Sequence, residues 1–265
     1  MPINKEALRQ WINSHYGHGS WNAPIWFVSH EDGGGDTPEE VAERLDYFHR
    51  THPEATEPTL CDIRAMYQQI AFRMTGPRAG TYQNLFEYRF GSHAQLSSVW
   101  KNLIAFAHAC RNKPLPDSLT YQKKSFGSTK EALIKLYPLP SPHNHAWYYS
   151  WLNVKGFDFL KSRDLYEEHV YSRRMQGLLS SIASHHPEVV LMYGMNNINK
   201  LKKSIQDYFQ CPSFKMIKAV KGQIPQHHLG QAGRTKILIT TQIPALRHNR
   251  VETGFDWEAL GKSIQ

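Results

Sequence analysis

Four short apolar runs, each leading into a polar or glycine-bearing turn, constrain this chain more than any other feature: IWFV at 25–28, ALIKLY at 132–137, VVLMYG at 189–194 and ILITT at 237–241. A strand with one wet face alternates apolar and polar residues. A run that is apolar at nearly every position is buried on both faces, as parallel strands covered by helices are. Helical patterns separate the runs. Residues 4–13 place Leu8, Trp11 and Ile12 on one side. Thr37-Pro38-Glu39-Glu40 opens another helix, with Thr37 as N-cap, Pro38 at the first helical position and Glu40 closing a capping box. Further helices are predicted over 61–75, 94–112, 163–185, 197–209 and 255–264, and an additional strand over 215–220. Residues 51–60 and 112–130 read as irregular, and Trp147, Tyr148, Tyr149 and Trp151 as core. Strands alternating with helices predict an α/β fold, a three-layer α/β/α arrangement around a small central parallel sheet of four to five strands. With no repeat, low-complexity tract or clean linker, residues 1–265 read as a single domain carrying a helical and loop insertion at about 36–130.

Composition excludes several classes. Seven Trp, 13 Tyr and 12 Phe are too many for a disordered chain. No apolar run approaches the ~20 residues of a membrane helix. The opening residues MPINKEALRQW lack an apolar signal core, so a cytoplasmic location is expected. Cys61, Cys110 and Cys211 are scattered and form no paired or metal-binding motif, and no cofactor or metal is expected. Net charge is +8, and residues 160–250 carry 14 Lys and Arg against 5 Asp and Glu, while the remainder is nearly balanced. A basic half suits a polyanion, because each cation set on a phosphate releases a counterion.

In open parallel sheets ligands sit beyond the carboxyl ends of the strands. Four segments occupy those ends here. The first, SHEDGGGD at 29–36, has neither GxxxxGK[ST] nor GxGxxG, and its carboxylates would repel an anion, so it is not a phosphate loop. Its Glu31 and Asp32 suit a site that activates water or stabilises a developing cation, while Asp36 reads as part of a solvated helix start. The second, YPLPSPHNH at 137–145, shapes a pocket wall with Tyr137 and holds a His143-x-His145 pair. The third, YGMNN at 193–197, is a turn into a helix, with Asn as its cap. The fourth, QIPALRHNR at 242–250, sets Leu246 beside Arg247, His248 and Arg250, an apolar wedge among cations fit to enter a duplex. Convergence of these ends makes His30, Gly33, Tyr137, Asn196 and Gln242 candidates for substrate binding.

In this order the segments resemble the uracil-DNA glycosylase superfamily. VSHED stands at the family's first motif, KLYPLPSP at the end of its second strand, VVLMYGMNN at its third, and TTQIPALRHNR resembles its last motif and minor-groove loop. Three departures stand out: glycines replace the proline-containing first motif, no base-recognising Asn follows the second strand (Lys135 and Tyr137 are nearby), and Gln242 replaces a histidine. The resemblance implies a monofunctional DNA glycosylase of a divergent branch, acting on a bulky modified base as in defence against phages with hypermodified DNA. It implies Glu31, with Asp32 beside it, as the catalytic carboxylate and Gln242 as a donor to the departing base. Leu246 would fill the gap left by the flipped base, with Arg247, His248 and Arg250 on the DNA and no membrane or obligatory protein partner. Two other readings stay open: a metal-dependent nuclease or phosphodiesterase using Glu31, Asp32, His143 and His145, and a non-catalytic nucleic-acid-binding module.

Overall fold

The computed structural model of the chain describes residues 3–73, 80–142, 146–152, 154–245 and 254–265. The first helix, α1 (Lys5–Ser14), starts where the Asn4 side chain accepts from the Glu6 and Ala7 N–H groups, and it buries Ala7, Leu8, Trp11 and Ile12. It runs directly into a short strand, β1 (His15–His18), and then into β2 (Ile25–Glu31). The helix α2 (Pro38–Thr51) begins on Thr37 as expected, but Glu40 does not close a capping box on it. Glu40 is buried, accepts from the Asp36 N–H and pairs with Arg44 one turn on. A three-residue strand, β3 (Thr59–Cys61), takes the end of the segment read as loop and the first residue of the helix expected from 61. Four helices come next: α3 (Ile63–Gln68), α4 (Leu85–Phe90), α5 (Ser98–Cys110) and α6 (Ser118–Lys124). The strand β4 (Glu131–Tyr137) leads through two single 3₁₀ turns to the long helix α7 (Arg163–His185), which Ser162 caps. The chain ends with β5 (Val189–Tyr193), α8 (Ile198–Phe209), β6 (Lys215–Ile217), β7 (His227–Ala232), β8 (Thr235–Ile239) and α9 (Trp257–Lys262).

Among the described residues, all eight strands form one mixed sheet in the order β3-β1-β4-β2-β5-β8-β7-β6. The four apolar runs are its central strands, and β4, β2, β5 and β8 are mutually parallel. The expected small parallel sheet is therefore the middle of a larger one. Antiparallel β1 extends it on one side and antiparallel β7 on the other. Three-residue edge strands, β3 and β6, present little unpaired backbone to other chains. From β2 the chain steps to β4 on one side and then to β5 on the other. Such a reversal opens a crevice at the carboxyl ends between the two outgoing connections.

Buried residues from Ala7 to Ile264 make one contiguous core. The 36–130 segment belongs to it through Leu45, Phe48, Met66, Leu103 and Phe106, all fully buried. The aromatic cluster after β4 divides: Tyr149 is core and Trp147 packs against it, whereas Tyr148 is exposed and Trp151 is 81% exposed. Leu246, Arg247, His248, Arg250, His143 and His145 lie outside the described residues. No helix among the described residues is long and apolar enough to cross a membrane.

Two buried charges hold the strands from below and from the side. Arg174 on α7 donates to the carbonyls of Lys135, Leu136 and His15 at 2.7, 3.1 and 2.9 Å and lies on the Tyr16 ring, so three strand-end carbonyls have a partner. Glu131, fully buried at the start of β4, pairs with Arg111 at 2.7 Å and accepts from the Tyr121 hydroxyl at 2.9 Å. Removing one partner of such a pair strands the other charge in the core, at a cost of roughly 3–5 kcal/mol. Glu131→Ala is therefore expected to lower unfolding free energy by about that much in urea titrations. A loss under about 1 kcal/mol, the range of exposed pairs, would show that solvent reaches Arg111.

Candidate active site

Beyond the carboxyl ends of β2, β4 and β5 lies a cavity of about 790 Å³. Its floor is set by strand register. Ser29 of β2 faces Lys135 of β4 on one side and Tyr193 of β5 on the other, so all three side chains stand on one face. His30, Glu31, Asp32 and Gly33 continue from β2, and Gly194 and Asn196 from β5. The inserted segment builds the facing wall, with Tyr67, Phe72, Leu85, Tyr88 and Trp100 as its apolar and aromatic surface.

Asp32 is the electrostatic centre. Its Oδ1 lies 3.0 Å from Lys135 Nζ and its Oδ2 3.1 Å from Arg44 Nη1, and the Arg44 guanidinium also binds Glu40 at 2.7 Å. Burial alone would push the Asp32 carboxyl up, but Lys135 and then Arg44 outweigh it and hold it at about 2. Burial likewise opposes the charge on Lys135, and Asp32 reverses that and raises its pKa. This is a largely buried quartet of two acidic and two basic side chains.

The glycine-rich turn exists to cover this quartet. Gly34 has φ +99°, and a Cβ there would meet Arg44 Nη2 and Glu40 Oε1, each at 2.7 Å. Gly35, at φ +75°, would meet the Pro140 carbonyl at 2.9 Å. Gly33, by contrast, has open space around it and lines the cavity without a steric need for glycine.

Glu31 differs from its neighbour. It makes a close ion pair with Arg163, the first residue of α7, whose guanidinium also donates to Ser141 Oγ at 2.9 Å and to the Ala146 carbonyl at 2.8 Å. Burial raises the Glu31 carboxyl, and Arg163 offsets this only in part. His30 Nε2 stands 3.5 Å from Glu167, with its ring 4.7 Å from that of Tyr137.

The structure thus brings together five of the residues singled out in the sequence: Glu31, Asp32, His30, Gly33 and Asn196 all line the cavity. Tyr137 stands one layer back, behind His30. Gln242 is exposed and not among the lining residues; only its backbone takes part, its carbonyl accepting from the Gly194 N–H at 3.0 Å. Asn197 sits at the N-cap of α8 in a left-handed conformation, φ +52°, without a capping side-chain bond. Strand-end position alone does not point to Arg44, Arg163, His18 or the wall around Trp100. The one available signal was the lysine interrupting the otherwise apolar ALIKLY run.

Outside the cavity, the basic excess of the C-terminal half is displayed on α8 and on the segment around β6, where Lys200, Lys203, Lys215, Lys218 and Lys221 are exposed. No family model matches the chain, and no solved structure matches it.

Proposed function

We propose that this chain is a monofunctional DNA glycosylase with a uracil-DNA glycosylase-like, three-layer fold, which flips out a bulky modified base and hydrolyses its N-glycosidic bond. The observation that carries the reading is the pairing, across one cavity of about 790 Å³, of a carboxylate raised by burial, Glu31, with a buried ammonium, Lys135. Breaking the bond between C1′ and the base nitrogen leaves positive charge on the sugar, while the electron pair departs with the base. Water then adds to C1′ and gives up a proton. Glu31 stabilises the sugar cation and takes that proton, a role favoured by a pKa raised toward the working pH. Asp32, held at about 2, is too weak a base for this and serves to fix Lys135 and Arg44. Lys135 carries three donors, of which Asp32 engages one, and it stabilises the anionic leaving base.

Cavity size bears on the substrate. Sites for drug-sized ligands run about 300–1,000 Å³, and this cavity of about 790 Å³ with its aromatic wall suits a base carrying a large substituent. A modified cytosine of phage DNA fits that description, and antiviral defence in the cytoplasm is the setting that follows. The exposed lysines of α8 and the β6 segment supply phosphate contacts; Leu246, Arg247, His248 and Arg250, outside the described residues, keep the DNA-binding roles that the resemblance implies. The nuclease reading has no observation in its favour among the described residues: both Asp32 oxygens are engaged by Lys135 and Arg44, and His143 and His145 lie outside those residues.

A substituent-size series tests the reading. Duplexes carrying uracil, hydroxymethylcytosine or glucosylated hydroxymethylcytosine are incubated with the protein in chelator and then treated with hot alkali. Alkali-dependent cleavage is expected to rise with substituent size. Cleavage strongest at uracil would remove the bulky-base assignment. Binding with a steep salt slope and no abasic sites on any substrate would leave a nucleic-acid-binding module instead.

A further inference from the structure

We infer that His15, His18 and Cys61 form a site for a thiophilic divalent metal ion of the zinc class, at the junction of β1 and β3 beneath the cavity. The three side chains are buried, and one ligand atom from each lies within 4.8 Å of the other two. Cys61 Sγ stands 3.5 Å from His15 Nε2 and 3.2 Å from His18 Nδ1. Tetrahedral zinc with its usual bond lengths to sulfur and imidazole nitrogen sets those atoms roughly 3.5 Å apart. The two sulfur–nitrogen edges of the cluster therefore already have nearly the lengths that the ion requires.

Local backbone chemistry explains how the set is assembled. Residues three apart on a regular strand point to opposite faces. In β1 the pairing with β3 shifts register between His15 and Gly17, as a bulge does, and this re-aims a side chain. Both histidines then reach Cys61, which pairs directly with His18. The bulge needs glycine: Gly17 has φ +131°, and a Cβ there would meet the Leu133 carbonyl at 2.0 Å. Trp11 stacks on the His15 ring at 3.6 Å and Phe48 meets its edge, which fixes one ligand ring in place.

Imidazole nitrogen and thiolate sulfur are the donor types that zinc takes. On binding, the thiol proton passes to solvent and the sulfur lone pair forms the metal–sulfur bond. The ion's oxidation state does not change. On the ring edges turned away from the sulfur, His15 Nδ1 and His18 Nε2 are buried with no hydrogen-bond partner, and an ion held by His15 Nε2 and His18 Nδ1 leaves them so. Three protein ligands leave one position for water. This inference does not depend on the glycosylase reading, since metal content is read without DNA.

The test uses the full chain expressed with zinc and desalted, with metal counted by atomic spectroscopy. Wild-type protein is expected to keep about one zinc per chain, and Cys61→Ser to lose about nine-tenths of it. Cobalt exchanged into wild-type protein is expected to show a near-ultraviolet thiolate-to-metal charge-transfer band, a readout independent of whether the variant folds. Absence of both zinc and that band would overturn the site and leave a hydrogen-bonded thiol–imidazole cluster. Zinc retained equally by Cys61→Ser would overturn it too, assigning the metal to other histidines.

Discussion

Glu31→Gln is expected to keep the affinity for duplex DNA bearing a bulky base while slowing base release by about 10²–10⁴-fold, the range contributed by a positioned acid–base group. The carboxamide keeps the size of the side chain and one oxygen for Arg163, so α7 remains docked through Ser141 and the Ala146 carbonyl. It cannot take a proton from water, and it brings no negative charge to the sugar cation. Single-turnover base release and equilibrium DNA binding separate the two effects. Equal loss of binding and turnover would make Glu31 a structural anchor for Arg163. Unchanged turnover would remove it from the chemistry and place the proton transfer elsewhere in the cavity.

Asp32→Ala is expected to act mainly on stability, lowering unfolding free energy by roughly 3–5 kcal/mol, because Lys135 and Arg44 are left buried with less negative charge between them. The same pairing sets an acid limb. The Asp32 carboxyl is ordinarily near 3.8 and is held at about 2 in the folded chain. A depressed carboxylate contributes stability that is fully present above its unfolded pKa and is lost as pH falls through the folded one. The window is therefore about pH 4 to 2, and the shift corresponds to about 2–3 kcal/mol. Urea titrations across that window are expected to give a steeper decline for the wild type than for Asp32→Ala. Parallel declines, or a cost near zero at neutral pH, would mean that the quartet is solvated in solution.

The central strands were legible because burial on both faces leaves a continuous apolar run, and α7 because Ser162 caps it and its apolar spacing is sustained. Glu31 and Asp32 were legible for a simpler reason: they stand just past the buried stretch of β2, which ends at Ser29. Of the flanking strands only β6 was, inside the strand expected over 215–220. HYGH and HHLGQA carry histidine and glycine where a strand pattern needs branched residues, and β3 is only three residues long. Arg44 illustrates the limit of local reading. Glu40 and Arg44, four apart on α2, look like a surface pair, yet the glycine turn folds over them and makes them the floor of a site. Gln242 illustrates the reverse, a polar strand-end residue whose contribution comes from its carbonyl. His15, His18 and Cys61 meet only through a register shift between strands far apart in sequence, which no spacing rule anticipates.

The measurement closest to the central claim is mass-spectrometric detection of a free base released by the purified protein, in chelator, from DNA bearing glucosylated hydroxymethylcytosine. The account predicts the intact modified base in solution, an abasic site in an otherwise unbroken strand, and neither product with Glu31→Gln. Strand breaks carrying the base still attached to its sugar, or no released base at any enzyme concentration, would contradict it.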